Sequence, residues 1–267
     1  MQVYTTNNVT QCYEKDNKIL TSASEAVDSG LVLELVSTEE LFTKDGAGLV
    51  SQWDDSTTNS YNMVQVTSTK QPVWYSSIDG SPAVLFDNFN DSMYADNITN
   101  FTLGDTFTIE MWVKFVSINT NGNWPFLMYF YDSSLGLGAG TPRTYIGMQT
   151  DATSRKLTMY QYADSYGGAN YYIKTPDIDD VLVDDTWVHL SITREKGVAQ
   201  KMYINGVAEV LETDTGVSED AVTFGSCRIA LASDSVSQNR TSNAYFDDVK
   251  IYNTIHRTGN FTPPARS

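Results

Sequence analysis

Cysteine is almost missing from this chain. Cys12 and Cys227 are the two thiols in 267 residues, too few for the disulfide framework that staples small secreted domains. They read as reduced thiols of a chain made in the cytosol, with a Cys12–Cys227 pair as the alternative. Basic residues are scarce too: 17 Lys and Arg stand against 33 Asp and Glu, for a formal charge of −16. A surface of that sign repels a phosphate backbone, which excludes nucleic acid as a partner. No apolar run approaches the ~20 residues that cross a bilayer as a helix. The longest, Pro125 to Tyr131, is strand-sized, so no membrane insertion is expected. The opening MQVYTTNNVTQCYEKDNK lacks a basic segment leading into an apolar one, so no secretory signal is expected. What is abundant is tyrosine, 16 residues beside 11 Phe and 5 Trp, a content that no disordered polymer carries.

The apolar residues repeat with period two. In Phe107 to Phe115, Phe107, Ile109, Met111, Val113 and Phe115 share one face, and Thr108, Glu110, Trp112 and Lys114 share the other. That alternation predicts a half-buried strand. Trp187 to Thr193 alternates likewise, and Lys196-Gly197 turns the chain into Lys201-Met-Tyr-Ile204. Asn205-Gly206 then supplies the two left-handed positions of a tight hairpin. Further strands are expected near 31–36, 49–53, 82–86, 92–95, 126–131, 144–149, 156–162, 170–174, 207–211, 227–232 and 244–252. Many short strands between Gly, Asn and Asp turns mean an all-β sandwich or barrel. Residues 1–30 read as an N-terminal arm or an added strand, and 256–267 as a C-terminal tail.

Three stretches in order, TFTIEMWVKF (106–115), DTWVHLSITREKGVAQKMYINGVAEV (185–210) and AYFDDVKIYNTI (244–255), resemble laminin-G-like domains of the concanavalin-A-like lectin/glucanase superfamily. GLVSQWDDSTTN and GSPAVLFDNFNDSMYA are similar to entry strands of its bacterial and phage-borne branch. The resemblance covers residues 31–255 as one domain. It implies a jelly-roll sandwich of two curved antiparallel sheets, with the strand Tyr245 to Tyr252 pairing near the N-terminal strands.

Relatives that cleave glycans place several acids on one strand, because retaining hydrolysis needs two carboxyls about 5 Å apart. Glu14-Lys-Asp16 and Glu212-Thr-Asp214 each lack the third acid, and Phe107 to Phe115 holds Glu110 alone. The chain therefore reads as a non-enzyme with no catalytic residues. His189 sits mid-strand, where a structural histidine is the ordinary outcome. Asp87 and Asp91 flank a turn and Asp247-Asp248 are adjacent; such oxygen donors suit calcium, though Asp also simply makes turns. Sugar recognition needs an aromatic platform with polar neighbours, for which Trp124, Tyr166, Tyr171 and Tyr172 are the candidates. Asn97-Ile-Thr99 and similar triplets match the glycosylation sequon, which matters in a secreted chain.

Three readings follow. The first is a virion structural or surface protein, a capsid-decoration or tail-associated adhesion module. Its partners would be other virion proteins or a second copy, engaged through the N-terminal arm. The second is a carbohydrate-binding lectin module that grips cell-surface glycans. The third, a glycoside hydrolase, is disfavoured by the missing acids.

Overall fold

The computed structural model describes residues 2–6, 9–13, 19–20, 30–87, 90–99, 101–118, 125–132, 145–150, 155–162, 170–178, 180–215, 222–224, 226–232 and 242–267. Nearly all of the regular structure is strand. One 10-stranded sheet runs in the order Thr213–Asp214, Asn170–Lys174, Leu157–Tyr162, Tyr145–Thr150, Phe126–Asp132, Ser226–Leu231, Met93–Thr99, Met63–Val64, Val50–Trp53, Phe42–Lys44. An 8-stranded sheet runs Val207–Ala208, Ala199–Ile204, Trp187–Glu195, Thr106–Ser117, Asn243–Tyr252, Ser81–Phe86, Val73–Ile78, and Leu31–Leu35 also pairs with Asn243–Tyr252. Neighbouring strands are antiparallel, as in Ile109↔Ile192 and Ile109↔Ile251. This is the jelly-roll sandwich of two sheets. Near the N-terminus, Gln2–Thr6, Val9–Tyr13 and Ile19–Leu20 pair with one another in a small sheet of their own.

Alternation explains the sandwich. Phe107, Ile109, Met111, Val113 and Phe115 are buried in one apolar core with Leu127, Phe130, Leu157, Met159, Ile229 and Leu231 of the other sheet. Each such side chain contributes about 1.5–3 kcal/mol by leaving water. Cys227 is a buried core thiol. Among the described residues, no helix is long and apolar enough to cross a membrane.

The hairpin forms as its sequence dictates. Asn205 and Gly206 have φ of 50° and 77°, and Ile204 pairs with Val207 across them. Gly206 has a second reason to lack a side chain: a β-carbon there would fall 1.9 Å from the Phe261 carbonyl oxygen. The Phe261 amide donates to the Gly206 carbonyl at 2.9 Å.

That contact belongs to the C-terminal segment. Residues 256–267, read from the sequence as a tail, lie across the outer face of the 8-stranded sheet. Glu110, on the polar side of its strand, is 2% exposed there and accepts two bonds from Arg257, at 2.6 and 3.0 Å. Phe261 packs edge-on to His189 and tilted to Tyr203, with ring centroids 5.7 Å away in each case. The Arg266 guanidinium stacks 3.6 Å from the centre of the Trp187 ring, a cation–π contact. Arg257 supplies the charge that pairs Glu110 here, beside a Ser191 hydroxyl bond at 3.2 Å, and an unpaired buried charge is strongly destabilising. Arg257→Ala should therefore lower the unfolding free energy by about 3 kcal/mol in denaturant melts. A loss below about 0.5 kcal/mol would mean that the segment is not held by this pair.

Candidate functional site

The site begins with a buried acid. Asp55 follows the Val50–Trp53 strand and is 7% exposed. Its Oδ1 accepts from the amides of Glu34 at 3.0 Å and Thr57 at 2.9 Å. Its Oδ2 accepts from the Thr57 hydroxyl at 2.8 Å and the Tyr61 amide at 2.9 Å. Its own amide donates to the Asn62 side-chain oxygen at 3.1 Å. A carboxylate with both oxygens engaged by main-chain donors folds its loop into one shape. Residues 55–62 are that loop, and they include Ser60 at φ 56°, a left-handed position for a residue with a side chain.

A second irregular segment faces it. The Met93–Thr99 strand changes register against Ser226–Leu231 between Ala95 and Ile98. Within that bulge Asn97 has φ 57°. Bulges re-aim side chains and concentrate near functional sites, and left-handed non-glycine residues do likewise.

Between the two segments is a groove of about 420 Å³ lined by Ser60, Tyr61, Asn62, Ala95, Asp96, Asn97, Ile98 and Thr99. Two amides, two hydroxyls and one carboxylate converge there beside the half-buried Tyr61 ring, which is braced edge-on by Phe101 at 5.8 Å. Burial, and then the charge of Asp55, push the Tyr61 phenol above its usual range, so it remains a donor at neutral pH. Asp96 accepts from the Asn97 amide at 2.9 Å and is ion-paired with Arg228. Arg228 in turn lies over the Tyr94 and Tyr131 rings, 4.5 and 5.5 Å from their centres.

Of the aromatic residues singled out from the sequence, Tyr172 is described in full. Trp124 and Tyr166 lie outside the described residues, as does the side chain of Tyr171. Tyr172 is half-buried and packs on Tyr160 at 6.0 Å between ring centres. Register aligns Tyr94, Ala230, Tyr129, Gly147, Tyr160 and Tyr172 in one row across the 10-stranded sheet. Five strand spacings of ~4.8 Å put Tyr172 about 24 Å from Tyr94, which adjoins the groove. The groove itself was missed: its Asn-Ile-Thr reads as a sequon.

The four acids considered for calcium sit in two places. Asp247 and Asp248 are both buried, and both are engaged by the C-terminal segment. Arg266 donates to Asp247 at 3.4 Å, while the Ser267 amide and hydroxyl donate to Asp248 at 2.9 and 2.5 Å. Asp91, at 3% exposure, accepts from the Asp87 amide at 3.1 Å. Among the described residues, no group of three or more His, Cys, Asp and Glu is arranged to hold a metal. His189 is buried against Trp112, with ring centres 5.1 Å apart. Burial pushes it down to about 4, against the pull of Glu110, so it is neutral at pH 7.

Comparison with known proteins bears on the fold. A laminin-G-like family model, described as the concanavalin A-like lectin/glucanases superfamily, matches residues 86–257, more than half of the chain. No curated protein matches significantly. The binding domain of Paraclostridial Mosquitocidal Protein 1 superposes with a TM-score of 0.55 at 17% identity, over 84% of this chain and 49% of that one. The botulinum neurotoxin serotype D ligand binding domain, solved in complex with N-acetylneuraminic acid, gives 0.53 at 14% identity, over 84% and 48%. The binding domain of botulinum neurotoxin DC, in complex with SialylT, gives 0.52 at 12%, over 84% and 48%. This chain spans about half the length of those chains, and likeness at such identities concerns the fold alone.

Asp91 gives the fold a pH signature. Burial first, and then its hydrogen bond with Asp87, push its carboxyl up to about 8. The folded chain thus keeps a proton that the unfolded chain releases near pH 4, so this contribution is full below that pH and is lost as pH rises through about 8. Asp91→Asn should lose less thermal stability than wild type between pH 5 and pH 8. Parallel melting curves for the two proteins would refute the assignment.

Proposed function

We propose that this chain, which belongs to the concanavalin A-like lectin/glucanase superfamily, is a non-enzymatic glycan-binding module whose site is the groove between loop 55–62 and the bulge at 95–98. The observation that carries the reading is the convergence of Ser60, Asn62, Asp96, Asn97 and Thr99 beside one aromatic wall, in a groove of about 420 Å³. Sugars present hydroxyls around their rim and C–H groups on their faces. They are held by clustered amides, hydroxyls and carboxylates next to an aromatic ring. The size falls in the ~300–1,000 Å³ range of small-ligand sites.

Binding fits this groove better than hydrolysis does. Cleavage with retention or inversion needs two carboxyl groups flanking the bond. Among the described residues the groove's lining contains one, Asp96, and Arg228 already engages it. Glu110 lies beneath the C-terminal segment, tied to Arg257. The fold neighbours are binding domains by their descriptions, two of them solved with sialic-acid-type ligands, which supports recognition as the role. The finer placement, on a virion surface as a capsid or tail adhesion module, rests on composition and on the family resemblance, and co-sedimentation with particles tests it.

Substitution by glycine suits this site, because glycine accepts the left-handed backbone while removing the polar group. Asn97→Gly and Ser60→Gly should keep the wild-type melting temperature within a few degrees and weaken binding on a glycan array roughly tenfold or more. Unchanged array signals in both variants would remove the groove as the site.

A further inference from the structure

The charge arrangement around the groove bears on which sugars it takes. Among the described residues, Asp96 is the lining carboxylate and no lysine or arginine lines the groove. A nearby cation is Arg228, and three contacts hold its guanidinium in place. It is ion-paired with Asp96 and lies 4.5 Å from the centre of the Tyr94 ring and 5.5 Å from that of Tyr131. Turning towards a ligand would forfeit the ion pair and both cation–π contacts. Asp96 also holds the Asn97 amide at 2.9 Å, so its position is set by the same bulge that shapes the groove.

A carboxylate so placed is a strong acceptor for sugar hydroxyls. For a ligand carrying its own carboxylate it is a like charge at short range, which the ion pair with Arg228 offsets in part. The chain's charge of −16 adds repulsion at longer distance. We infer that the groove selects neutral, hydroxyl-rich sugars and discriminates against carboxylate-bearing sugars of the sialic acid type, with Asp96 as the residue that sets the preference. The selectivity is achieved by repulsion of the wrong ligand as much as by attraction of the right one. It differs from what the ligands of the two botulinum domains would suggest, and it rests on the reading of the groove as a glycan site.

The test is a glycan array on which each neutral glycan is printed beside its sialylated form, probed with the full chain at low and high salt. Sialylated forms should bind roughly tenfold or more weakly than their neutral partners at low salt. The gap should shrink at high salt as screening weakens the repulsion. Asp96→Asn should shrink it at low salt, with the melting temperature reporting on the fold. If that variant does not fold, the salt series on the wild type decides. Sialylated forms bound as well as or better than their neutral partners would overturn the charge selectivity and leave the groove standing as a glycan site. No binding to either form would remove the glycan reading, and the selectivity with it.

Discussion

The carboxylate of Asp55 accepts bonds from three main-chain amides and a hydroxyl while almost removed from water. One of those amides belongs to Glu34, in a strand of the 8-stranded sheet, whereas Asp55 itself follows a strand of the 10-stranded sheet. The interaction therefore fastens a loop of one layer to the edge of the other. Trp53 reinforces the joint, its indole nitrogen donating to the Val36 carbonyl at 2.9 Å from a fully buried position. An isolated buried carboxylate is costly, so the loop is confined to the conformation that satisfies it. Ser60 reaches its left-handed backbone, and the groove its wall, because of that confinement.

The strand Thr106–Ser117 shows how one alternating sequence serves two purposes. Its apolar face fills the space between the sheets, and its polar face receives the C-terminal segment through Glu110. The outer surface of the 8-stranded sheet is thereby taken up by the chain's own Arg257, Phe261 and Arg266. The groove lies elsewhere, where a loop and a bulge of the 10-stranded sheet meet. A rigid two-layer scaffold carrying recognition on its irregular edge is a common division of labour.

Much of the fold was legible from period and turn chemistry. The alternation at 107–115 and the Asn205-Gly206 hairpin appear where the residues put them, and Asn243–Tyr252 pairs with Leu31–Leu35 as the family resemblance implies. The strand Val73–Ile78 was missed because its residues at the sheet edge are largely exposed and lack an apolar rhythm. A signal existed nonetheless: Asp79-Gly80 has φ of 53° and 99°, a two-residue turn like the other hairpin. The docking of residues 256–267 was not legible. Arg257 and Glu110 are 147 positions apart, and a lone arginine carries no periodicity. The groove was hidden for a related reason: two left-handed residues, Ser60 and Asn97, converge from separate segments, and of the aromatic candidates the described one, Tyr172, sits at the far side of the sheet.

The central claim is that the groove, and no other face, takes a sugar. Two-dimensional 1H–15N NMR of the full chain, titrated with a neutral glycan that the array shows to bind, tests it most directly. Shift changes are expected at the amides of Ser60, Asn62, Asn97 and Thr99, with Tyr160, Tyr172 and residues 256–267 unmoved. Changes confined to the Tyr160–Tyr172 row or to the C-terminal segment, with the groove silent, would contradict it.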